Sequence, residues 1–512
     1  MRGRWARELA FIATFAALGS ASCAAKSAAV AAAPAAPATA VTAETQLARD
    51  LRAIFSDPVV DHGIWSVAVK SLRSGETLYT SNANRLQVPA SNQKVLTTAV
   101  AAERLGWDYR YTTRIYSTGT IDPATGLLSG DLIVASDGDP TINPRHPERW
   151  AIFDEWGKQL AAKGIRTISG HLIGDDNAFE EPGWGLGWAW DDFAFGYGAQ
   201  VSALQYNENQ VELMIGPGQE AGARGVILVT PTGSGLTIDH RVTTVAAGEP
   251  NRINLRRVPG SDVLVVEGQV ALGTATLTEY AAILDPTRTY LNAMRIAFRR
   301  QGVNIERTPM DIDDVRPTPD MTGATLLVED RSPALSELID VTLKWSRNIY
   351  AETMLRSLSP AGTPATDAGG LAAVGETLGS WGIAPELYLA RDGSGLSRYD
   401  FLTADALTGL LTHLWNDPTH LERYRAALPV TGINGNLANR LKDTPAHGRV
   451  WAKTGSMSQV RSLSGYLVTQ QDEPLVFAFL VTGFRVPQRA IDAAMDSALL
   501  RLVSFTHPAR AR

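Results

Sequence analysis

Apolar residues recur with different periods along the chain, and these periods predict its helices and strands. Over residues 47–54 the apolar residues lie three or four positions apart, which predicts a short helix, whereas alternation over 65–69 predicts a strand. Residues 78–80 are the expected return strand of a hairpin. A longer helix is predicted over residues 91–105, because Gly106 follows at a position typical of a helix end.

Between residues 107 and 319 the pattern changes to short β-rich runs separated by Gly, Pro and Asp turns. One helix is predicted within this stretch over residues 286–301, with Leu291, Met294 and Phe298 on one side. The spacing of the runs favours small β-rich domains over βαβ units. The predicted strands are Tyr111–Tyr116, Asp131–Ala135, Thr167–Ile173, Val211–Ile215, Gly225–Val229, Ile253–Val258 and Val263–Val266.

Helical periodicity returns after residue 332 and is followed by three strands. An apolar stripe over residues 335–343 predicts a helix, and strand-like segments follow at 449–454, 461–469 and 475–482. The last predicted helix has its apolar face over 491–502. Strands joined by short loops pair antiparallel, so the sequence predicts an α/β (α+β) fold with an antiparallel sheet flanked by helices.

Residues 1–23 have the three-part pattern of a secretory signal peptide. Arginines precede an apolar run over residues 9–18, which is too short to span a bilayer, and small residues follow. Residues 24–43 are mostly Ala, Pro, Thr and Val, which predicts a flexible tether. Cys23 is then either a lipid attachment point or part of a discarded signal. Export predicts a bacterial periplasmic protein, in the first case tethered to a membrane.

The composition excludes several classes of protein. The 512 residues are 45% hydrophobic and 20% charged, which is ordinary for a soluble globular protein and argues against extended disorder. The formal net charge is −6, so the chain lacks the excess of basic residues that nucleic-acid binding requires. No nucleic-acid partner is expected. The single cysteine, Cys23, cannot form an internal disulfide or a cysteine-rich metal site.

Ser91 and Lys94 are the first candidate pair for chemistry. At the start of a helix, residues three apart are neighbours on the surface. A serine hydroxyl needs a base to act as a nucleophile, and a lysine can be that base when burial lowers its pKa. An N-cap serine with a solvated lysine has the same spacing, so this pair alone decides nothing.

Two more short motifs occur later in the chain. Lys453, Thr454 and Gly455 come directly after strand residues 449–452, where a cation and a hydroxyl can bind a carboxylate and the glycine lets a peptide approach the strand. Ser346 and Asn348 lie on a predicted turn between helices, where they can relay a proton and hold an amide. An ordinary edge strand and a helix cap are the alternative interpretations.

Taken together, SxxK, SxN and KTG in this order are the motifs of β-lactamases and penicillin-binding proteins. Ser346 follows Lys94 by 252 residues and Lys453 follows Ser346 by 107, whereas class A β-lactamases place the first two motifs much closer. Over about residues 42–504 the chain resembles the penicillin-binding protein 4 type of D-alanyl-D-alanine carboxypeptidase/endopeptidase, peptidase family S13. The matching segments are VPASNQK (Val88–Lys94), SDGDPTI (Ser136–Ile142), RDGSGLSR (Arg391–Arg398), LPVTGINGNL (Leu428–Leu437) and AKTGS (Ala452–Ser456).

The resemblance implies a serine carboxypeptidase, and also a DD-endopeptidase, that cleaves peptidoglycan stem peptides and binds penicillin. By this resemblance Ser91 is acylated by the substrate and Lys94 is its general base. Ser346 passes the proton to the leaving D-alanine, and Asn348 holds Lys94 and the substrate amide. The expected partners are stem peptides and β-lactams, and no cofactor or metal is expected.

The resemblance also implies how substrate is bound. Lys453 and Thr454 recognise the terminal carboxylate, and backbone N–H groups of Ser91 and Ser456 form the oxyanion hole. Gly455 completes the KTG motif beside them.

A diaminopimelate-recognition patch is expected where an inserted domain meets the catalytic one. Asp192 and Tyr197 match its acidic and aromatic contacts, and Arg398 matches the basic one. Ser458 stands where relatives have a glutamine, and Arg347 stands where Asp or Asn is more usual. Asp192 also fits a turn residue in an aromatic-rich loop.

The motif positions predict a divided catalytic domain. Residues 44–105 and 320–512 are expected to form it, and residues 106–319 form β-rich inserted domains. No HExxH, GxSxG, Walker or Rossmann pattern occurs, and the eight histidines are predicted to be structural or on the surface. The alternatives are a β-lactamase or esterase of the same fold and a non-catalytic cell-wall binding protein. The sequence leaves the oligomeric state open.

Overall fold

A computed structural model describes residues 45–507 apart from 61, 259 and 363. The predicted signal peptide, the tether and Cys23 lie outside these residues. The helices are α1 (Gln46–Phe55), α2 (Gln93–Leu105), α3 (Pro147–Trp150), α4 (Ile152–Ala162), α5 (Pro286–Arg300), α6 (Leu335–Trp345), α7 (Asn348–Ser357), α8 (Asp367–Ser380), α9 (Ala404–Asn416), α10 (Leu421–Ala427) and α11 (Gln488–Val503). The strands are β1 (Ile64–Ser71), β2 (Thr77–Ser81), β3 (Thr112–Ser117), β4 (Thr120–Asp122), β5 (Leu127–Ser129), β6 (Leu132–Ser136), β7 (Thr167–Ile168), β8 (Leu172–Asp175), β9 (Gln210–Gly216), β10 (Val226–Thr230), β11 (Thr237–Val245), β12 (Arg252–Arg257), β13 (Val263–Ala271), β14 (Leu277–Ala282), β15 (Asn304–Ile305), β16 (Met310–Asp311), β17 (Thr325–Arg331), β18 (Tyr388–Leu389), β19 (Phe401–Leu402), β20 (Val450–Met457), β21 (Val460–Val468) and β22 (Pro474–Thr482).

A five-stranded antiparallel sheet joins the two ends of the described chain. Its strand order is β2-β1-β22-β21-β20, so the early hairpin pairs with the last strands. Side chains alternate between the two faces of β22. Phe477 and Phe479 pack in one apolar core with α1 and α11, whereas Val476 and Ala478 pack in another with α2, α6, α7 and α9. The predicted sheet flanked by helices is therefore confirmed.

Helix α2 lies inside the helical layer and carries the first motif. Ala90–Asn92 form a 3-10 turn, and α2 begins at Gln93, so the α-helix starts two residues later than predicted. Its first ten residues are buried, because helices pack around it. Gly106, at φ 83°, ends the helix in a conformation that favours glycine, as expected from its position.

Four further sheets, of three to five strands, lie between α2 and α6, but part of this segment differs from the prediction. Strands β6 and β8 are parallel with α4 between them, and β8 and β16 are parallel with α5 between them. The connection from β6 to β8 is a βαβ crossover, which the spacing of the strands did not predict, whereas β9–β15 also lie between β8 and β16. The short helix α4 has Phe153, Trp156 and Leu160 buried on one face, a period that the many nearby strand-like runs obscured.

The predicted strand Thr167–Ile173 is wrong in its extent. The structure divides it into β7 and β8, which belong to different sheets. Gly170 lies at the break, where an added Cβ would come within 2.3 Å of the carbonyl oxygen of Gly130. Within the described residues, no helix combines the length and the apolar composition needed to cross a bilayer.

Candidate active site

Ser91 lies in the 3-10 turn that leads into α2, one turn before Lys94. The Nζ atom of Lys94 lies 2.9 Å from the Oγ atom of Ser91. Ala90 has φ 47°, an unusual value for a residue with a side chain, and the turn is fastened by Asn92. The buried Asn92 amide donates to the carbonyl of Lys453 and to Ser462 Oγ. The nucleophile turn is thereby tied to β20 and β21.

The Lys94 side chain is fully buried and has three oxygen neighbours. Its Nζ atom lies 2.7 Å from Asn348 Oδ1 and 2.6 Å from the carbonyl oxygen of Ser394. Both of these oxygens only accept hydrogen bonds. A neutral amine has two N–H groups for them and one lone pair, which is left for the hydroxyl proton of Ser91. The geometry thus suits a base that acts on Ser91.

Burial lowers the pKa of Lys94 to about 8, against the opposing effect of three carboxylates behind it, those of Asp392, Glu352 and Asp400. The Glu352 carboxylate accepts hydrogen bonds from the N–H groups of Gly393 and Ser394. It therefore positions the loop whose carbonyl faces Lys94. Burial, with the nearby charge of Asp392, raises the pKa of Glu352 to about 8.

Ser346 and Asn348 lie in the turn between α6 and α7, on the side that faces the active site. Ser346 has φ 59° and ends α6, while Asn348 begins α7. Asn348 accepts from Lys94 through Oδ1 and donates through Nδ2 to the carbonyl oxygen of Tyr197 at 2.8 Å. One side chain therefore links the lysine to the inserted segment.

Lys453 lies in β20 and is fully buried beside Ser346. Its Nζ atom donates to Ser346 Oγ at 2.9 Å and to the carbonyl of Thr454 at 2.7 Å. Burial, with the charge of Lys94, lowers the pKa of Lys453 well below its usual value. Both lysine amines are buried in the same site, where water screens their charges poorly. Protonation of one therefore disfavours protonation of the other.

Gly455 allows β20 to run directly against the nucleophile turn. An added Cβ at this position would lie 2.1 Å from Ser462 Oγ, 2.7 Å from the carbonyl oxygen of Pro89 and 3.0 Å from the backbone nitrogen of Ser91. Any other residue would force these atoms apart. The glycine of the KTG motif is thus required by the fold of the protein itself.

These residues open into a cleft of about 240 Å³, and the patch predicted from the insert reaches it. Asp192 accepts a hydrogen bond from the Tyr197 hydroxyl at 2.9 Å, and burial raises the pKa of both groups. Arg398 donates to the carbonyl of Ser458 at 3.3 Å. The lining residues are Ser91, Asp192, Tyr197, Ser346, Asn348, Gly395, Leu396, Arg398, Ser456, Met457 and Ser458.

The sequence pattern of the D-Ala-D-Ala carboxypeptidase 3 (S13) family matches residues 47–502, nearly the whole described chain. The chain belongs to this family. The prediction of a serine-type D-Ala-D-Ala carboxypeptidase is thereby confirmed. A D-alanyl-D-alanine carboxypeptidase of Actinomadura sp. (strain R39) is 31% identical over 474 residues, covering 90% of this chain and 85% of the relative. The D-alanyl-D-alanine carboxypeptidase DacB of Haemophilus influenzae is 24% identical, covering 81% of this chain and 84% of the relative.

A solved structure supports the fold of this S13 protein. The crystal structure of penicillin binding protein 4 from Haemophilus influenzae superposes with a TM-score of 0.76 at 22% identity. The match covers 89% of this chain and 99% of that one. The same protein has been solved in complex with a β-lactam, with a TM-score of 0.71 to this chain at 21% identity.

Several residues of this S13 site were not identified from the sequence. Glu352 and Asp392 lie behind Lys94, and Ser394 supplies the carbonyl next to its amine. The segment RDGSGLSR matched the family, but nothing in it indicated that the Ser394 carbonyl contacts a lysine 300 residues away or that Asp392 acts on the charge of that lysine. Asn92 lies inside the SxxK motif, where only its first and last residues were interpreted.

Thr454 and the histidines were also singled out from the sequence. Thr454 is half-buried in β20 beside Lys453 and is not among the residues that line the cleft. Of the described histidines, His420 is buried between Glu103 and Trp107. Within residues 45–507, apart from the three undescribed positions, His, Asp and Glu side chains form no group suited to hold a metal ion.

Proposed function

We propose that this S13 enzyme hydrolyses the terminal D-Ala-D-Ala bond of peptidoglycan stem peptides through an acyl-enzyme on Ser91. The observation that carries the proposal is the environment of Lys94. Its amine lies 2.9 Å from Ser91 Oγ, while Asn348 Oδ1 and the Ser394 carbonyl occupy its other two directions. A buried amine whose lone pair faces a serine hydroxyl is a general base for that hydroxyl.

In the acylation step, Ser91 Oγ bonds to the carbonyl carbon of the penultimate D-alanine and its proton passes to Lys94. The N–H groups of Ser91 and Ser456 hold the oxyanion. The C–N bond then breaks, and Ser346, which is hydrogen-bonded to Lys453, passes the proton held by Lys94 to the nitrogen of the leaving D-alanine. Water subsequently hydrolyses the ester and regenerates the serine.

The terminal carboxylate of the substrate is held by the KTG strand. Lys453 is buried and has no carboxylate within ion-pairing distance among the described residues, so an incoming carboxylate supplies the missing counter-charge. Thr454 adds a hydroxyl at the same strand. Because an opposite charge favours the protonated amine, substrate binding raises the pKa of Lys453.

The insert contacts recognise the side chain of the stem peptide's diamino acid. Asp192, Tyr197, Arg398 and Ser458 line the same cleft as Ser91, which supports this assignment. Asp192 suits the amine and Arg398 the carboxylate of such a side chain. The Ser458 side chain is shorter than the glutamine expected here from the family resemblance. It therefore extends less far towards the substrate.

Penicillins enter the cleft as mimics of D-Ala-D-Ala and acylate Ser91. The complex of the related penicillin binding protein 4 with a β-lactam supports this part of the proposal. Cleavage of cross-linked peptides as a DD-endopeptidase follows from the same chemistry when the leaving group is a longer amine.

The proposal places the enzyme in the periplasm after export. The basic and apolar pattern of residues 1–23 supports removal of a signal peptide, and Cys23 remains either lipidated or discarded. We also propose that residues 44–105 and 320–512 act as the catalytic domain, with residues 106–319 as inserted domains. The common sheet of β1, β2 and β20–β22 supports the catalytic part of this division, whereas β17 pairs with β3 and extends a sheet of the inserted segment beyond residue 319.

Ser91→Ala tests the nucleophile. Wild-type protein is expected to release D-alanine from a stem peptide and to gain the mass of one penicillin, whereas the variant does neither. Ser497→Ala, an exposed position on α11, is the matched control and retains both properties. Release of D-alanine by Ser91→Ala at the wild-type rate contradicts the proposal. Rapid turnover of penicillin without a persistent adduct favours the β-lactamase alternative.

A further inference from the structure

A second cavity lies in the inserted segment, next to the loop that reaches the active site. Its volume is about 550 Å³, larger than the catalytic cleft. Neither its aromatic wall nor its charge belongs to the machinery described above. The lining residues are Trp184, Trp190, Phe193, Arg257, Gly260, Ser261, Asp262 and Leu284.

Aromatic side chains form one wall of this cavity. The rings of Trp184 and Phe193 are stacked with centroids 5.1 Å apart and an interplanar angle of 26°. Trp190 is 65% exposed, which is a high value for the largest apolar side chain in a folded protein. A broad aromatic surface left open to water is typical of a ligand site.

Arg257 provides the polar part of the cavity. The residue is 8% exposed, and its Nε and Nη2 atoms donate to the backbone carbonyls of Phe193 and Ala282. The third nitrogen, Nη1, is buried without a hydrogen-bond partner among the described residues. Burial lowers the pKa of Arg257 to about 10, and Asp262 opposes this shift. A guanidinium donor without a partner is costly, and an acceptor from a ligand would relieve that cost.

The loop that forms the cavity wall also forms part of the active site. Phe193 follows Asp192, which lines the catalytic cleft with Ser91. Between Trp184 and Trp190, the indole of Trp188 donates to Asp392 Oδ2 at 2.8 Å and fixes the loop to the catalytic residues. If the peptide of a polymeric substrate occupies the cleft, the part of the polymer next to that peptide therefore lies close to the cavity.

We propose that this cavity binds an N-acetylated pyranose ring of the glycan strand that carries the stem peptide. The inference rests on the proposed function for the identity of the polymer. The C–H face of the sugar ring stacks on Trp190 and Trp184, and the acetamido oxygen accepts a hydrogen bond from Arg257 Nη1. The enzyme thus holds the sugar and the peptide of one substrate at two sites.

The aromatic wall and the Arg257 guanidinium together favour a sugar over simpler ligands. A lipid chain would leave Arg257 Nη1 without an acceptor. A small anion would use the guanidinium but not the stacked rings. A pyranose with an amide substituent uses both, because it joins an apolar C–H face to a carbonyl acceptor.

Direct binding is tested with an N-acetylglucosamine disaccharide, which has no peptide. Titration calorimetry and tryptophan fluorescence of the wild-type protein are expected to report saturable binding. Trp190→Ala is expected to weaken it by about fivefold to tenfold, the effect of losing one aromatic contact. Arg257→Lys, which keeps the charge but not the fork of donors, is expected to weaken it as well.

The matched control is Leu228→Ala, since Leu228 is exposed on β10 of the inserted segment and does not line the cavity. It is expected to bind the disaccharide as the wild type does. Circular dichroism and thermal unfolding check that each variant is folded. Trp190 is a surface residue, so its removal tests the proposal even if Arg257→Lys fails to fold.

Kinetics then separate this proposal from the function itself. Trp190→Ala is expected to raise KM about fivefold for a disaccharide-pentapeptide, while KM for the same peptide without sugar and the rate of penicillin acylation stay unchanged. Absence of peptide hydrolysis and of acylation in the wild type would refute the proposed function, and the sugar titration would still decide about the cavity. Absent disaccharide binding by the wild type, or equal affinity in Trp190→Ala, overturns the cavity proposal.

Discussion

The Nζ atom of Lys94 lies 2.9 Å from the Oγ atom of Ser91, and both belong to one turn at the start of α2. Two acceptor-only oxygens take up the remaining directions of the amine. The lysine is therefore arranged to receive the proton of the serine, provided that it is neutral. Its protonation state controls the first chemical step.

The rate of acylation is expected to rise with pH up to about 8. Lys94 acts as a base only when neutral, and its pKa is about 8. Below that value the neutral fraction falls about tenfold for each pH unit. Second-order rate constants for acylation by a penicillin, measured between pH 5.5 and 9, test this. A rate that is flat from pH 6 to 9 contradicts a Lys94 base.

Asn348→Asp is expected to move this pH dependence to higher values. A carboxylate in place of the amide at 2.7 Å stabilises the protonated amine and raises the pKa of Lys94 by about 1–3 units. At pH 7 the variant should acylate more slowly and recover as the pH increases. Asn348→Ala, which adds no charge, is the control and should not show the alkaline displacement. An unchanged inflection in Asn348→Asp argues against direct coupling of the two residues.

Gly455→Ala is expected to impair both folding and acylation. The added Cβ would lie 2.1 Å from Ser462 Oγ and 3.0 Å from the Ser91 nitrogen. Overpacking of this kind costs about 1–3 kcal/mol, and displacement of the nucleophile by 1 Å costs about 100-fold in rate. Denaturant unfolding and penicillin acylation measure the two effects.

The control for this substitution is Gly379→Ala. This glycine is exposed in α8, and an added Cβ would meet nothing within 4 Å. It should increase the free energy of unfolding by about 0.5–1 kcal/mol, because alanine favours helix, and leave acylation unchanged. Equal behaviour of the two variants would show that space beside Ser91 is not limiting.

Trp188→Phe is expected to loosen the insert from the catalytic residues. It removes the indole N–H that donates to Asp392 Oδ2 at 2.8 Å and leaves a buried carboxylate with one partner fewer. The free energy of unfolding should fall by about 1–3 kcal/mol. KM for a stem peptide should rise, because Asp192 lies on the same loop. Trp190→Phe, at an exposed position, should leave unfolding within about 0.5 kcal/mol of the wild type.

Arg347→Asp is expected to destabilise this protein. Arg347 Nε lies 3.4 Å from the buried carboxylate of Glu208, which also pairs with Arg145. A second carboxylate there would meet a like charge and reduce the free energy of unfolding by about 1–3 kcal/mol. The double variant Arg347→Asp/Glu208→Gln should regain much of the loss in thermal unfolding. If the double variant is no more stable than Arg347→Asp alone, repulsion between the introduced carboxylate and Glu208 is not the cause of the lost stability.

Several features were determined by the sequence alone, because their signals are local. The alternating apolar residues over 65–69 in β1, the apolar stripe of α6 and the glycine after α2 were readable from period and position. The SxxK, SxN and KTG motifs also identified the family from their order and separation. The same periodicities failed for α4, since a short helix among many strands resembles one more strand-like run.

Only the tertiary structure decided how these parts meet. The contact between Lys94 and Ser394 spans 300 residues, and the contact between Trp188 and Asp392 spans 204. Such contacts depend on how loops from different parts of the chain pack, and no local period records them. For the same reason the carboxylates behind Lys94 and the cavity beside Arg257 were not visible in the sequence. A side chain's type is fixed by the sequence, but its burial, and with it its pKa and its partners, is fixed by the fold.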